Sequence, residues 1–177
     1  MTPAGLLVDS QGRILRDLRV SITDRCNFRC LYCLPESEAG QNSYRSQGAR
    51  LSNSAPILPQ WLPKDQILSF EEIERVVRLG ISLGIQKVRL TGGEPLLRRK
   101  VEELVGRLAS IAGLTDLAMT TNGLLFRPQA AVLRAAGLHR VSFSLDSLAR
   151  DNFRKITGRD GLDEALAGIS LAQELGL

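Results

Sequence analysis

The segment GIQKVRLTGGEP, residues 84–95, contains the pattern that determines the fold class. A glycine closes a helical stretch, one aliphatic and two polar residues follow, and a strand begins. The same pattern returns in GLTDL at residues 113–117 and in GLHRV at residues 137–141. Glycine in this position accepts the left-handed backbone conformation that ends many helices. The repetition therefore predicts a chain in which helices and strands alternate.

The segments on either side of these glycines define the individual elements. Four strands are predicted, at about residues 18–23, 87–92, 116–123 and 140–146. Ser69 and Glu72 form a capping-box pattern before the first helix, and Pro128 suits the first turn of the third. A fourth helix is predicted over about residues 162–175. The apolar or small positions assigned to the four helices are Ile73, Val76, Val77, Gly80 and Ile81; Val101, Leu104, Val105, Leu108 and Ala112; Ala131, Ala135 and Ala136; and Ala165, Leu166, Ile169 and Ala172.

Alternating strands and helices predict an α/β fold with parallel strands joined by crossover helices. An open doubly wound sheet is one candidate. Polar motifs after every strand favour a partial (β/α) barrel, because a doubly wound sheet gathers its site at one switch point. The helix-to-strand pattern starts again at Gly176-Leu177, where the sequence stops. A complete barrel takes about 250 residues, so we expect the N-terminal part of a longer or split protein, with a small complete domain as the alternative.

Composition places the chain among ordinary globular proteins. It has 177 residues, 44% hydrophobic and 24% charged, which favours one domain over residues 1–177. Residues 37–60, rich in Ser, Gln, Asn, Gly and Pro, are predicted to be a mobile loop insertion. A net charge of +4 is too small to indicate a nucleic-acid partner. No secretory signal and no apolar run of about 18 residues is found, which predicts a cytoplasmic protein without a membrane partner.

All three cysteines lie in DRCNFRCLYC, at Cys26, Cys30 and Cys33. An odd, tightly spaced set argues against a disulfide framework. Thiolates suit iron–sulfur clusters, zinc or Cu(I), but structural zinc usually takes four ligands, and the single histidine, His139, is far along the chain. Three thiolates on a [4Fe–4S] cluster leave one iron open to a substrate or cofactor. Three core thiols, or zinc completed by an outside ligand, are the alternatives.

Residues after the later strands could bind a ligand. Gly92 and Gly93 permit close approach of the backbone to a ligand, and Glu94 could meet an ammonium group or be a surface acid in a tight turn. Thr120 and Ser144 lie at strand ends, where barrel active sites form. The neighbouring polar residues at the same two strand ends are Thr121, Asn122 and Asp146. Each of these polar residues could instead be a turn or cap.

Arg19 and Arg89 occur within strands that otherwise contain aliphatic and hydroxyl residues. A cation placed there is unfavourable without an anion, and the forked guanidinium suits phosphate. The alternative is that strand alternation simply turns both arginines outward.

CNFRCLYC and GGEP together resemble the signatures of the radical S-adenosylmethionine (SAM) superfamily. The resemblance implies that Cys26, Cys30 and Cys33 hold a [4Fe–4S] cluster whose open iron binds the amino and carboxylate groups of SAM. An electron donor reduces the cluster, and the 5′-deoxyadenosyl radical formed from SAM abstracts hydrogen from the substrate. The resemblance also implies that Tyr32 lies by the adenine and that the GGEP motif binds the SAM amino group.

Five blocks in order look like one family within that superfamily, the GTP 3′,8-cyclases: residues 16–36, 61–77, 88–99, 120–125 and 141–148. That family converts GTP to (8S)-3′,8-cyclo-7,8-dihydroguanosine 5′-triphosphate at the start of molybdenum cofactor (molybdopterin) synthesis. The resemblance implies SAM contacts from Tyr32, Gly93 and Ser144, with Gly92 and Glu94 in the same motif. It implies GTP contacts from Arg19, Arg89 and Thr120. A homodimer and a functional link to the next enzyme, cyclic pyranopterin monophosphate synthase, are further expectations.

The sequence departs from this family at its end. The family holds a second [4Fe–4S] cluster with three C-terminal cysteines, and it contacts GTP through a lysine in the strand after the position of Leu177. Neither is in this sequence. We therefore expect the chain to be inactive toward GTP by itself. A radical SAM enzyme acting on a peptide or a haem precursor, and a non-catalytic iron–sulfur module, are the alternative functions.

Overall fold

The computed structural model describes residues 6–33 and 61–177, so the predicted insertion at residues 37–60 lies outside the described residues. Four strands and five α-helices lie along the described chain, with one helix after each of the first three strands and two after the last. In order they are β1 (Asp17–Ser21), α1 (Phe70–Ser82), β2 (Lys87–Thr91), α2 (Val101–Ala109), β3 (Asp116–Thr121), α3 (Ala130–Ala135), β4 (Arg140–Phe143), α4 (Arg150–Thr157) and α5 (Leu162–Glu174). Two short 3-10 helices cover Lys64–Gln66 and Pro95–Leu97.

The four strands form one parallel sheet in the order β1-β2-β3-β4. The predicted α/β fold with parallel strands is therefore confirmed. Strand order follows chain order throughout, as in a barrel, whereas a doubly wound sheet reverses direction at a switch point. Within the described residues β1 and β4 are the two edges, so the sheet is not closed. The architecture is a partial (β/α) barrel.

The local signals at the helix ends are confirmed. Gly84, Gly113 and Gly137 have φ values of 101°, 94° and 102°, a left-handed conformation that residues with a side chain rarely adopt. The Ser69 hydroxyl accepts a hydrogen bond from the Glu72 N–H at 3.1 Å, and the Glu72 carboxylate accepts one from the Ser69 N–H at 2.7 Å. This capping box orients the start of α1.

The core lies between the helices and one face of the sheet. That face presents Val20, Val88, Leu90, Leu117 and Met119, all buried. The facing helices contribute buried residues such as Ile73, Val77, Leu104, Val105 and Leu133. Because side chains alternate along a strand, the arginines of β1 and β2 lie on the opposite face.

The expectation that all the assigned apolar helix positions are buried is wrong at several of them. Val76 and Leu166 are 44% and 37% exposed, and Ala112, Ala131 and Ala135 are also exposed. Helix α2 ends at Ala109, so Ile111 rather than Ala112 is buried. Helix α3 begins at Ala130, after Pro128, and buries Ala130 and Leu133. Helix α5 turns Gly168 inward, where a Cβ would lie 3.0 Å from the ring of Phe143.

Helix α4 is absent from the sequence-based assignment, which continued the fourth strand to residue 146. The strand ends at Phe143. Helix α4 buries Phe153 and Thr157 and is otherwise largely charged, so few apolar residues mark it in the sequence. Among the described residues, no helix has the length and apolar character needed to span a membrane.

Candidate functional site

The segment with the three cysteines, residues 24–33, follows β1 and is held from two sides. On one side, the Gly93 N–H donates to the Thr23 carbonyl and the Glu94 N–H to the Arg25 carbonyl, each at 2.7 Å. On the other side, the Arg29 N–H donates to the Thr157 carbonyl at 2.8 Å and the Leu31 N–H to the Ile156 carbonyl at 2.9 Å. We call residues 24–33 the cysteine loop. Its path is set by the GGEP turn and by α4.

The two glycines of the GGEP turn are required by this close approach. A Cβ on Gly92 would lie 2.5 Å from the Thr23 carbonyl oxygen. A Cβ on Gly93 would overlap the backbone of Arg25 and Asp24. Such contacts are far shorter than ordinary van der Waals separations. The glycines therefore bring the turn against the cysteine loop, a contact that sequence reasoning did not foresee.

The thiols are suited to metal binding rather than to nucleophilic attack. All three are free; Cys26 and Cys30 are half-buried and Cys33 is exposed. Burial raises the pKa of Cys30 to about 11 and also raises the pKa of Cys26, although the Phe28 N–H, 3.4 Å from the Cys26 sulfur, opposes the latter shift. A thiol with a raised pKa is a weak nucleophile, whereas a bound cation deprotonates it outright.

The three thiols supply soft donors that suit a cluster or a single ion. Among the described residues, no group of three or more His, Cys, Asp and Glu side chains is placed to hold one metal ion. A zinc ion would draw each thiolate to about 2.3 Å from one centre, but a cluster binds each thiolate through a different iron. The three thiols nevertheless line one cavity of about 230 Å³.

That cavity brings together residues from the ends of all four strands. Thirteen of the fourteen candidate residues that the sequence indicated line it, namely Arg19, Cys26, Cys30, Tyr32, Cys33, Gly92, Gly93, Glu94, Thr120, Thr121, Asn122, Ser144 and Asp146. Arg89 lies beside it, with its guanidinium 3.3 Å from the Thr120 hydroxyl. A larger cavity of about 550 Å³ lies elsewhere, is lined by residues such as Lys64, Phe70 and Arg98, and contains none of the cysteines.

Tyr32 links the cysteine loop to the end of β4. Its hydroxyl donates a hydrogen bond to the Asp146 carboxylate at 2.9 Å, while its side chain remains half exposed. Burial and the hydrogen bond to Asp146 raise the pKa of Tyr32, so the phenol stays protonated and continues to donate. Its ring is thereby held at the cavity wall.

Glu94 is buried, with 1% of its surface exposed. One carboxylate oxygen accepts from the Thr121 hydroxyl at 2.7 Å and the Leu96 N–H at 3.0 Å. The other accepts from the Asn122 N–H at 2.8 Å. Burial raises the pKa of Glu94, and the three donors act in the opposite direction. Both oxygens therefore have protein partners, and the predicted contact with the SAM amino group stays a prediction.

The network around Glu94 extends to the cysteine loop. The Asn122 side-chain amide donates to the Asn27 side-chain oxygen at 2.7 Å. The ends of β2 and β3 are thereby joined to the residue that follows Cys26. The sequence did not indicate a role for Asn27, because an asparagine between two cysteines is typical of any loop and does not reveal a contact with a distant residue.

Arg19 and Arg89 lie directly opposite each other on β1 and β2. Arg89 donates to the Ser142 hydroxyl at 2.8 Å. The Arg19 side chain is exposed, and its guanidinium has no hydrogen bond or ion pair within the part of the chain that the structure describes. Like charges opposite each other destabilise a sheet, and within residues 6–33 and 61–177 neither guanidinium forms an ion pair with a carboxylate. The arrangement suits an anion bound over the middle of β1 and β2.

The family model of the radical SAM superfamily matches residues 20–177. The chain belongs to the radical SAM superfamily. The match includes the cysteine loop, the GGEP turn and all the described strands except the first residues of β1. Membership supports a [4Fe–4S] cluster and SAM as the cofactors, in agreement with the three-thiol donor set.

Several relatives of this radical SAM chain are named GTP 3′,8-cyclase. The protein of Rhodopirellula baltica is 46% identical over 99% of this chain and 44% of its own length. Those of Mycobacterium sp. strain KMS and Xanthomonas campestris pv. campestris strain B100 are 44% and 43% identical over 100% and 98% of this chain. The chain spans about half the length of these curated relatives.

Solved structures share the fold. Streptococcus suis SuiB, in crystals with the precursor peptide SuiA, superposes with a TM-score of 0.62 over 90% of this chain and 30% of that chain, at 18% identity. SuiB bound to S-adenosylmethionine superposes with the same TM-score over 32% of that chain. At this identity the likeness shows the fold alone.

Proposed function

We propose that this chain supplies the SAM site and part of the substrate site of a GTP 3′,8-cyclase, acting at the start of molybdenum cofactor synthesis. The observation that carries the proposal is the pairing of Arg19 with Arg89 across β1 and β2, next to the cavity lined by the three cysteines. A polyphosphate substrate is the ligand class that these guanidinium groups suit. The relatives named GTP 3′,8-cyclase support the same assignment.

Cys26, Cys30 and Cys33 are the proposed ligands of three irons of the cluster. When bound, the cluster and SAM supply an electron and a carbon radical that removes hydrogen from the substrate. The raised pKa values of Cys26 and Cys30 keep these thiols protonated until a metal binds. The hydrogen bonds of the cysteine loop to the GGEP turn and to α4 hold it in place before loading.

Residues around the cavity are proposed to orient SAM. Tyr32, anchored to Asp146, offers its ring to the adenine. Gly92 and Gly93 line the cavity and are proposed to offer backbone groups to the methionine part, and Ser144 offers a hydroxyl. Glu94 is proposed to set the shape of the GGEP turn from its buried position, so that any effect on the SAM amino group is transmitted by the turn.

The proposed substrate contacts come from the open face of the sheet. Arg19 and Arg89 bind phosphate oxygens, and Thr120 adds a hydroxyl that already accepts from Arg89. In the proposed reaction hydrogen leaves ribose C3′, and C3′ then bonds to guanine C8. The next enzyme, cyclic pyranopterin monophosphate synthase, and a homodimeric state remain predictions.

The test uses the full chain reconstituted with iron and sulfide without oxygen. With dithionite and SAM we expect 5′-deoxyadenosine, and we expect GTP to increase its release. We expect no cyclised nucleotide by mass spectrometry, because the chain spans about half the length of its relatives. Cyclised product would contradict that expectation. Iron and sulfide binding without any SAM cleavage would instead favour a non-catalytic module. If a peptide rather than GTP increased the release of 5′-deoxyadenosine, a peptide-modifying enzyme would be favoured.

A further inference from the structure

A positively charged surface lies at the C-terminal end of α4. Arg154, Lys155 and Arg159 are exposed and line a shallow depression of about 460 Å³ together with Gly158 and Asp160. We call these five residues the basic surface. Neither Arg154 nor Lys155 has an ion pair among the residues that the structure describes. The Asp160 carboxylate is 2.9 Å from the Arg150 guanidinium, so it is already compensated from outside the surface.

The basic surface is directly connected to the cysteine loop. Residues Ile156 and Thr157 of α4 accept the loop hydrogen bonds described above. A Cβ on Gly158 would lie 2.9 Å from the Arg29 carbonyl oxygen, so the turn after α4 touches the loop backbone. The ring of Phe153 packs edge-on against that of Phe28, with centroids 5.8 Å apart. Cys26 and Cys30 pack against the same apolar cluster.

We propose that the basic surface docks an acidic one-electron carrier protein that reduces the cluster held by the cysteine loop. This inference rests on the proposed function, which requires an external electron. One electron leaves the reduced cofactor of the carrier and enters the cluster; the carrier is oxidised by one electron, and no covalent bond forms or breaks. No side chain of this chain gains or loses a proton in the step.

Charge complementarity identifies the partner. Electron-transfer complexes are small and short-lived, and their association is accelerated by opposite charges. Arg154 and Lys155, beside the cysteine loop, provide a positive electrostatic field that would attract an acidic partner. Cations in the last turn also stabilise a helix through its dipole, but that effect acts within α4 and predicts no influence on electron transfer. A surface charge effect should weaken as salt is added.

The test compares Lys155→Glu and Arg154→Glu with Arg75→Glu in the reconstituted full chain. Arg75 is an exposed cation on α1, which packs against α2 and β1. The rate of cluster reduction is measured with reduced flavodoxin, an acidic flavin protein, and separately with dithionite. We expect cluster reduction by flavodoxin at low salt to be about 10-fold slower in each α4 variant. The rates with dithionite should not change in any variant, and Arg75→Glu should keep the unmodified rate with flavodoxin.

Binding provides a second readout that needs neither SAM nor turnover. Oxidised flavodoxin should bind the unmodified chain, and the affinity should fall about 10-fold in both α4 variants. Unchanged flavodoxin rates and affinities in these variants would overturn the inference. Equal slowing with dithionite would also overturn it, since the substitutions would then act on the loop. Tight, charge-dependent binding of inorganic triphosphate without any flavodoxin effect would reassign the surface to a small anion.

The two proposals fail separately. If the unmodified chain is reduced by dithionite but does not cleave SAM, the proposed function is wrong while the docking measurements still stand. If SAM is cleaved with dithionite and the α4 substitutions change neither the rate nor the affinity of flavodoxin, only the docking inference is wrong.

Discussion

The buried carboxylate of Glu94 accepts a hydrogen bond from the backbone N–H of Asn122 at 2.8 Å. The same Asn122 donates from its side chain to Asn27 in the cysteine loop at 2.7 Å. One carboxylate therefore connects the GGEP turn, the end of β3 and the segment that carries the thiols. The connection explains how separate strand ends reach one cavity.

Replacing Glu94 with glutamine should destabilise the protein. The amide cannot accept on both sides, so its NH₂ group would face the Asn122 N–H or the Thr121 hydroxyl. An unsatisfied buried donor costs about 1–3 kcal/mol. Urea unfolding should show this loss in Glu94→Gln and almost none in Glu164→Gln, where the carboxylate is exposed. Equal stability of Glu94→Gln and the unmodified protein would contradict the network.

The same carboxyl should affect the pH dependence of stability. Burial raises the pKa of Glu94 above its ordinary 4.5, so the folded protein holds this proton more tightly than the unfolded chain. Its contribution is then greatest below pH 4.5 and is lost as pH rises through the folded-state pKa. Unfolding free energies measured across this range should decline more steeply with pH in the unmodified protein than in Glu94→Gln. Parallel curves would show that the shift is absent.

Adding a methyl group at Gly93 should displace the cysteine loop. A Cβ there overlaps the backbone of Arg25 and Asp24, which cannot move aside as a flexible side chain can. We expect Gly93→Ala to reduce the iron and sulfide retained after reconstitution several-fold. The matched control is Gly106→Ala in α2, where a Cβ would lie 3.9 Å from the Ala136 carbonyl oxygen. That control should be stabilised by about 0.5–1 kcal/mol and keep full iron content; normal iron in Gly93→Ala would refute the prediction.

Changing Arg89 to lysine should weaken GTP binding without weakening SAM binding. A lysine keeps the charge but loses the forked geometry that reaches Ser142, Thr120 and a phosphate together. Losing about 1.5–3 kcal/mol from charged hydrogen bonds corresponds to a roughly 10–150-fold weaker Kd. Titration calorimetry with GTP and with SAM measures the two dissociation constants. Arg140→Lys, whose arginine pairs with Asp116 on an exposed part of the sheet, should leave the GTP Kd unchanged; equal losses in both variants would argue against a specific phosphate contact.

Local chemistry explains what could be predicted. The glycines after the helices and the Ser69–Glu72 capping box depend on neighbours within a few residues, so their geometry was readable from the chain. The spacing of the cysteines likewise indicated a metal site, and the alternation of elements indicated parallel strands. Helix α4 was not foreseen, because only Phe153 and Thr157 of its eight residues are buried. Val76 was misplaced because helical periodicity does not show how a helix is rotated against its sheet.

The sequence by itself determined the alternation of helices and strands, the spacing of the three cysteines and the residue types at the strand ends. Only the tertiary structure decided that Arg19 faces Arg89, that Glu94 is enclosed by donors from β3, and that α4 closes against the cysteine loop. The physical reason is that register, burial and docking depend on contacts between residues far apart in the chain. Local propensity and residue spacing do not specify those long-range contacts.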